Sequence, residues 1–308
     1  MRNPLVSIVL PTHNGSCYIG QAVQACLDQA YRDWELIVVD DASTDGTADR
    51  ITRYADARIR IIRHDVNRRL PAALNTGFAR ARGKYLTWTS DDNLYRPEAL
   101  KRMVAFLEDH QDVDIVHSDF TIIDSGGDVI EQRRVSGRED LMTGDCVGPC
   151  FLYRREVQVN VGDYSPGLFL AEDYDFWLRA SVRFRFAELH EDLYCYRRHR
   201  ASLTSRYGYG RIAEIIHKSL HQHLPDLDWV SPARKRYHLS RSWVRVGNAH
   251  YIDLQLTDAW KAWREALNLD ISVLTPRLAV LMAKSLFGSR MLGWARQTKG
   301  ALARARPT

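Results

Sequence analysis

Residues 85–93, Tyr85-Leu86-Thr87-Trp88-Thr89-Ser90-Asp91-Asp92-Asn93, open as an apolar run and end on two adjacent carboxylates. A strand that stops at such a pair sets acidic oxygens at the carboxyl end of a sheet, the edge where open α/β sheets bind ligands. Neighbouring carboxylates repel unless a cation or a set of donors lies between them. Mg2+ and Mn2+ take oxygen ligands of this kind and share them with substrate phosphates. Read alone, the stretch is also an ordinary turn, with Asp92 or Asn93 capping a helix that begins near Pro97. The surrounding chain decides between the two.

Residues 5–10 are a β-branched apolar run that ends in Pro11-Thr12-His13-Asn14-Gly15. The same pattern predicts buried strands over 34–39, 58–63, 85–89 and 114–118, with helices over about 16–30, 47–54, 72–81 and 97–110. Strands alternating with helices imply right-handed crossovers and a largely parallel sheet. Parallel strands bring the polar ends Thr12-His13-Asn14, Asp40-Asp41 and Asp91-Asp92 to one edge, which is the expected site. After residue 118 the pattern changes. A hairpin turns at Ser125-Gly126-Gly127, 147–153 reads as a strand, Glu172-Asp173 open a helix to about Ser181, and 184–186 and 193–196 read as short strands. Beyond Arg206 the chain reads as helical. His217, His221 and His223 fall on one helix there and read as surface residues rather than a metal cluster. Residues 242–269 resemble one tetratricopeptide unit, and Pro276 starts a last helix.

At 308 residues, 45% hydrophobic and 26% charged, the composition is that of a soluble globular protein. The net charge of +5 is unevenly placed: residues 271–308 hold seven Lys/Arg and no Asp or Glu, which leaves the rest near neutral. Five cysteines without a CxxC pair argue against a zinc site and for reduced thiols in a cytoplasmic protein. The chain runs from Met1 into its first strand without a signal peptide, and the apolar stretch Leu278–Ala283 is too short to span a bilayer. The basic residues are terminal and the aromatics show no stacking pattern, so nucleic acid is not an expected partner.

Taken in order, Pro11-Thr12-His13-Asn14, Val38-Val39-Asp40-Asp41-Ala42-Ser43-Thr44-Asp45-Gly46-Thr47, Asn75-Thr76-Gly77 through Ala81-Arg82-Gly83-Lys84-Tyr85, and Ser90-Asp91-Asp92 resemble glycosyltransferase family 2. Glu172-Asp173 and Tyr196-Arg197-Arg198-His199 add its two later motifs. The resemblance implies a GT-A α/β fold, a mostly parallel central sheet flanked by helices, over residues 1–205. Its nucleotide-binding half is 1–118 and its acceptor-side half 119–205. A helical extension follows over 206–308, with the tetratricopeptide-like unit and a basic amphipathic tail. The implied activity is transfer of a sugar from a nucleotide-diphospho-sugar with inversion. A sugar-nucleotide pyrophosphorylase would carry a glycine-rich basic loop after the first strand, where Pro11-Thr12-His13-Asn14-Gly15 stands instead. A non-catalytic scaffold is disfavoured by the presence of Asp41, Asp91, Asp92 and Asp173.

Asp41, at a strand end, can accept the ring N–H of uracil or thymine, and the resemblance assigns it to the base of a UDP- or dTDP-sugar. Pro11, Thr12 and Asn14 would lie beside it, and Arg82 would lie on the nucleotide side. The resemblance puts Asp92 on a divalent ion, Mn2+ or Mg2+, and Asp91 on ribose or a metal-bound water. Departure of a nucleoside diphosphate builds negative charge that a cation stabilises. The chain has neither a GxxxxGK[ST] loop nor a GxGxxG turn to do so by backbone alone. Inversion needs a carboxylate base across the sugar. Asp173 matches that place, with Glu172 orienting it or binding hydroxyls; as bare sequence, these and Asp175 are also first-turn helix acids. Arg197 and Arg198 can clamp phosphate, and His199 matches a position near the diphosphate or metal. The implied acceptor is a surface glycan or lipid-linked glycan. The tail reads either as a peripheral contact with the anionic inner face of the cell membrane or as a solvated end.

Overall fold

The computed structural model describes residues 4–286; the tail expected beyond them lies outside the described residues. The chain divides into two compact units, 1–202 and 203–308. In the first, the strands are β1 (Val6–Thr12), β2 (Trp34–Asp40), β3 (Ile59–Arg63), β4 (Tyr85–Trp88), β5 (Leu94–Tyr95), β6 (Ile115–Ile123), β7 (Val129–Arg133), β8 (Phe151–Arg154) and β9 (Phe186–Arg197). The helices are α1 (Ile19–Leu27), α2 (Thr47–Ile51), α3 (Arg69–Phe78), α4 (Ala99–Asp109), α5 (Arg155–Val161) and α6 (Glu172–Ser181).

The strands form one sheet in the order β3-β2-β1-β4-β8-β6-β9-β5, with β7 paired to β6. β1 to β4 are mutually parallel, as are β6 and β9, whereas β8, β7 and β5 run antiparallel to their partners. The sheet is thus parallel in its first half and mixed in its second. β1 and β2 are buried along their whole length. Helices cover both faces of parallel strands, so Val6, Ile8, Leu10, Leu36 and Val38 pack against Ile19, Val23 and Leu100 with no polar face left to water. The expected hairpin is present: Asp124 accepts from the amides of Gly126, Gly127 and Asp128, and β7 returns along β6. The two short strands expected over 184–196 are one strand, β9, because β6 pairs with it along nearly its full length.

The second unit comprises α7 (Leu203–Arg206), α8 (Tyr209–His223), α9 (Pro232–Ile252), α10 (Leu256–Leu269) and α11 (Pro276–Leu286). Gly247 lets α9 lie against the indole of Trp263 on α10: a Cβ there would come within 2.9 Å of its Cγ. Trp263 Nε1 donates to Asn248 Oδ1 at 3.1 Å. The surface reading of the histidines is corrected. His221 is exposed as expected, but His217 and His223 are buried, and the ring of His217 packs at a tilt on Trp243 at 3.9 Å while Nδ1 meets Ser242 Oγ at 2.7 Å. Among the described residues no three His, Cys, Asp or Glu side chains converge on a metal position.

Candidate active site

β4 pairs with β1 only from Val6 to Val9 and then leaves the sheet, while β1 continues to Thr12 beside β2. This is the point where the strand order reverses around β1, the ligand position of open α/β sheets. The loop leaving β4 crosses the bared end of β1, and Thr12 Oγ1 donates to Asp91 Oδ2. Pro11 is tolerated in a central strand because it lies past the last β4 partner. Burial and then the charge of Asp92 push the Asp91 carboxyl up to about 7.

Gly15 makes room for this carboxylate. A Cβ there would come within 2.7 Å of both Asp91 Cγ and Thr12 Oγ1. Gly15→Ala is therefore expected to push Asp91 off Thr12 and weaken binding of the expected nucleotide by about tenfold or more, about 1.4 kcal/mol, with little change in melting temperature. Calorimetric titration reads this, and an unchanged affinity would show that Asp91 plays no part in nucleotide binding.

Asp92 and Asp91 diverge. His199 Nε2 lies 2.9 Å from Asp92 Oδ2, and the ring of Tyr18 packs on His199 at 5.0 Å. Both partners keep some exposure, 13% for His199 and 18% for Asp92. Two ligand atoms bound side by side to an octahedral ion at about 2.1 Å are about 3.0 Å apart. The Asp92–His199 contact is a hydrogen bond of about that length, so an ion shared by the two would displace the proton between them; Asp92 is the residue whose carboxylate suits Mn2+ or Mg2+. Since no third such side chain converges among the described residues, the remaining ligands would come from diphosphate and water.

Arg197 is corrected as a phosphate clamp. It is buried, and its Nε donates to the Asp92 carbonyl at 2.9 Å and its Nη2 to Gln21 Oε1 at 2.8 Å, while the guanidinium stacks on Tyr18 at 4.6 Å. Its backbone amide donates to Asn93 Oδ1 at 2.8 Å. It pins the Asp91–Asn93 turn rather than facing a ligand. Arg198 is exposed, with its amide on the Ile123 carbonyl at 2.8 Å.

The end of β2 is laced to the end of β1. The Asp41 amide donates to the Thr12 carbonyl, Asn14 N–H to Ser43 Oγ, and Thr44 N–H to Asn14 Oδ1. The buried Asp41 carboxylate meets His64 Nδ1 and accepts from the amides of Arg68 and Arg69. Arg69 in turn stacks on Phe169 at 5.4 Å, and the Leu170 amide donates to Glu172 Oε2 at 2.7 Å. This relay ties the acidic start of α6 to the same sheet edge. In this unit Asn14, Ala42, Arg69 and Leu170 have positive φ without being glycine, and all four lie along it. Such backbone persists where surrounding contacts over-determine it, as functional sites do.

Glu172 is 4% exposed, and burial followed by the charge of Asp173 pushes it up to about 8. Asp173, whose Oδ1 accepts from the Tyr174 amide, is also raised, by burial. Asp145 joins them: loss of water and then the charge of Asp173 push it up to about 7. A carboxyl raised on folding contributes stability that is complete below its ordinary range, near 4.3, and lost as pH rises through the folded value. Melting temperature is therefore expected to fall between about pH 5 and about pH 9. Glu172→Gln, which keeps the acceptor for Leu170, should remove the part of that slope nearest its upper end in calorimetry, while the raised carboxyls of Asp91 and Asp145 keep the rest. A slope equal to the wild type's would show that Glu172 does not hold a proton in the folded protein.

Arg82 is corrected as well. Its Nη2 lies 3.0 Å from Glu35 Oε2 and its amide 2.7 Å from Glu35 Oε1, and Glu35 also binds Ser7 Oγ and Arg60. Glu35 pairs in register with Ser7, at the amino-terminal end of the strands. Thr12 is five steps along the strand from Ser7, about 16 Å, so Arg82 is at the edge opposite the site. The sequence reading also missed His64, Asp145 and the Arg68–Arg69 amides. His64 directly follows β3, so the rule that found the other strand ends applies to it. Asp145, in an irregular Gly144–Val147 loop, has no comparable signal.

The glycosyl transferase family 2 profile matches residues 7–162. Among curated relatives, the putative glycosyltransferase EpsE of Bacillus subtilis is 36% identical over 127 residues, 40% of this chain and 46% of EpsE. The putative teichuronic acid biosynthesis glycosyltransferase TuaG of the same organism is 36% identical over 106 residues, 34% of this chain and 42% of TuaG. The chain thus spans about half the length of these relatives, or less. Among solved structures, residues 1–349 of S. aureus TarS with UDP-GlcNAc align at a TM-score of 0.66 and 19% identity, over 90% of this chain and 83% of that one. The mannosyltransferase PcManGT from Pyrobaculum calidifontis, with GDP-Man and Mn2+, aligns at 0.56 and 19%, over 96% and 84%. These likenesses establish the expected GT-A fold, and with the profile match over half of its length, the chain belongs to glycosyl transferase family 2.

Proposed function

We propose that this protein transfers a sugar from a nucleotide-diphospho-sugar to a hydroxyl of a cell-envelope glycan by a single inverting displacement. The observation that carries the reading is the division of one sheet edge into two acidic groups: Asp91–Asp92 with His199, and Glu172–Asp173 reached through the Arg69–Phe169 contact. One group suits a leaving diphosphate and the other a proton. A divalent ion, held by Asp92 and His199, would offset the charge of the departing diphosphate. Asp91, fixed by Thr12, contacts the ribose, and Asp41 the base. Asp173 takes the proton of the attacking hydroxyl, a role favoured by the raised affinity for protons that burial gives it. Glu172, bonded to the Leu170 amide, holds the start of α6, the helix that carries Asp173.

The names of the relatives support an envelope polysaccharide as acceptor, since TuaG is described as a teichuronic acid enzyme. No helix among the described residues is long and apolar enough to cross a membrane. The seven basic and no acidic residues of 271–308 support a peripheral contact with an anionic cytoplasmic leaflet. The test of the donor reading is a screen of UDP-, dTDP- and GDP-sugars for thermal stabilisation with Mn2+ or Mg2+, followed by transfer. At least one should stabilise the protein in a metal-dependent way; a flat response across all three would overturn the reading.

A further inference from the structure

Asp41 is held by more donors than a base-contacting acid needs, and the count bears on which base it reads. A carboxylate offers about four acceptor positions, two on each oxygen. Oδ1 of Asp41 has two donors: the Arg68 amide at 2.8 Å and the imidazole of His64, whose Nδ1 lies 2.7 Å away. Oδ2 has one, the Arg69 amide at 2.7 Å. One acceptor position therefore remains, on Oδ2. The side chain is only 4% exposed, so a base that reaches it does so away from water, where an unmatched polar group is costly.

His64 is built into this arrangement. Its side chain is 6% exposed, and Nε2 lies 3.0 Å from Thr76 Oγ1 on α3. Facing an acid, Nδ1 carries the proton, so the ring is a donor to Oδ1. The amides of Arg68 and Arg69 are aimed at Asp41 by the turn at Arg69, which has a φ of 71°.

We infer that His64 and the Arg68 amide close Oδ1 of Asp41, so that the site reads a base edge with a single N–H donor, uracil or thymine, and disfavours the two-donor edge of guanine. Uracil and thymine present one imide N–H, which the open position on Oδ2 satisfies. Guanine presents N1–H and an exocyclic N–H side by side, a pair that binds a carboxylate through both oxygens; here the second donor meets a filled acceptor and is buried unpaired. His64 is a positioning residue in this account, acting through Asp41. The inference rests on the nucleotide-sugar reading given above, and it is more specific than the likeness to solved structures, which include one with UDP-GlcNAc and one with GDP-Man.

The experiment is calorimetric titration of the full chain with UDP, dTDP and GDP in the presence of Mn2+, for the wild type, His64→Leu and His64→Asn. The wild type should bind UDP and dTDP about tenfold or more tighter than GDP. His64→Leu, which opens Oδ1, should cut that ratio to about two or less, whereas His64→Asn, whose amide can replace the Nδ1 donor, should keep it. A merely structural role for His64 would lower all three affinities together and leave the ratio fixed, which would overturn the inference. So would a wild type that binds GDP as tightly as UDP, a result that needs no variant to fold and leaves the glycosyltransferase reading intact. If none of the three binds, the donor reading fails and this one with it.

Discussion

Asp92→Asn is expected to abolish the metal dependence of nucleotide binding and to lower kcat/KM by about three orders of magnitude. The size follows from what the substitution leaves in place. Asparagine fills the same volume and can still meet His199, and Arg197 holds the carbonyl of residue 92 rather than its carboxylate, so the turn survives. What disappears is one negative charge from a pair whose other member, Asp91, is already raised toward neutrality. A divalent ion then keeps only an imidazole from the chain. The checks are thermal shift with UDP, with and without Mn2+, and steady-state kinetics. Metal-dependent stabilisation equal to the wild type's would remove Asp92 from the metal site.

Asp173→Asn should separate binding from chemistry. The Asn side-chain oxygen can accept the Tyr174 amide as Asp173 does, so α6 should begin as before. Donor affinity is expected to stay within about twofold, while transfer falls by about 10^2 to 10^4, the range for loss of a positioned general base. Glu172→Gln should do less to turnover, because Glu172 is buried and bonded to the Leu170 amide and is not the proposed base. An Asp173→Asn protein with wild-type turnover would transfer the base role elsewhere, with Asp145 next in place.

The edge that carries the site was legible because parallel strands stop together. Apolar runs ending in Thr12, Asp41 and Asp91 locate three side chains without any knowledge of packing. What the sequence could not supply is which guanidinium is already spoken for. Arg82 and Arg197 look alike in a motif, yet one is bound to Glu35 at the far end of the strands and the other is stacked on Tyr18. Those partners are 47 and 179 positions away along the chain, a distance at which no local pattern operates. The tight position of Gly15 against Asp91 is likewise a property of three segments meeting. Strand pairing in the second half was harder to read because a mixed sheet has no single period. β9 was divided in the reading where Glu188 to Asp192 interrupt its apolar residues, and pairing with β6 makes it whole.

Thr12 and Asp91 are 79 positions apart, Asp92 and His199 are 107 apart, and Arg197 and Gln21 are 176 apart. Closing loops of that length costs chain entropy before any contact returns it. The cluster around the Asp92 turn therefore completes only after β9 has docked at the opposite end of the order of synthesis from α1. A ribosome-bound fragment ending before residue 197 would hold Asp41, Asp91 and Asp92 and still lack Arg197 and His199, which set the Asp92 turn. If Asp92 and His199 hold the proposed ion, competence for metal marks the end of folding of the first unit.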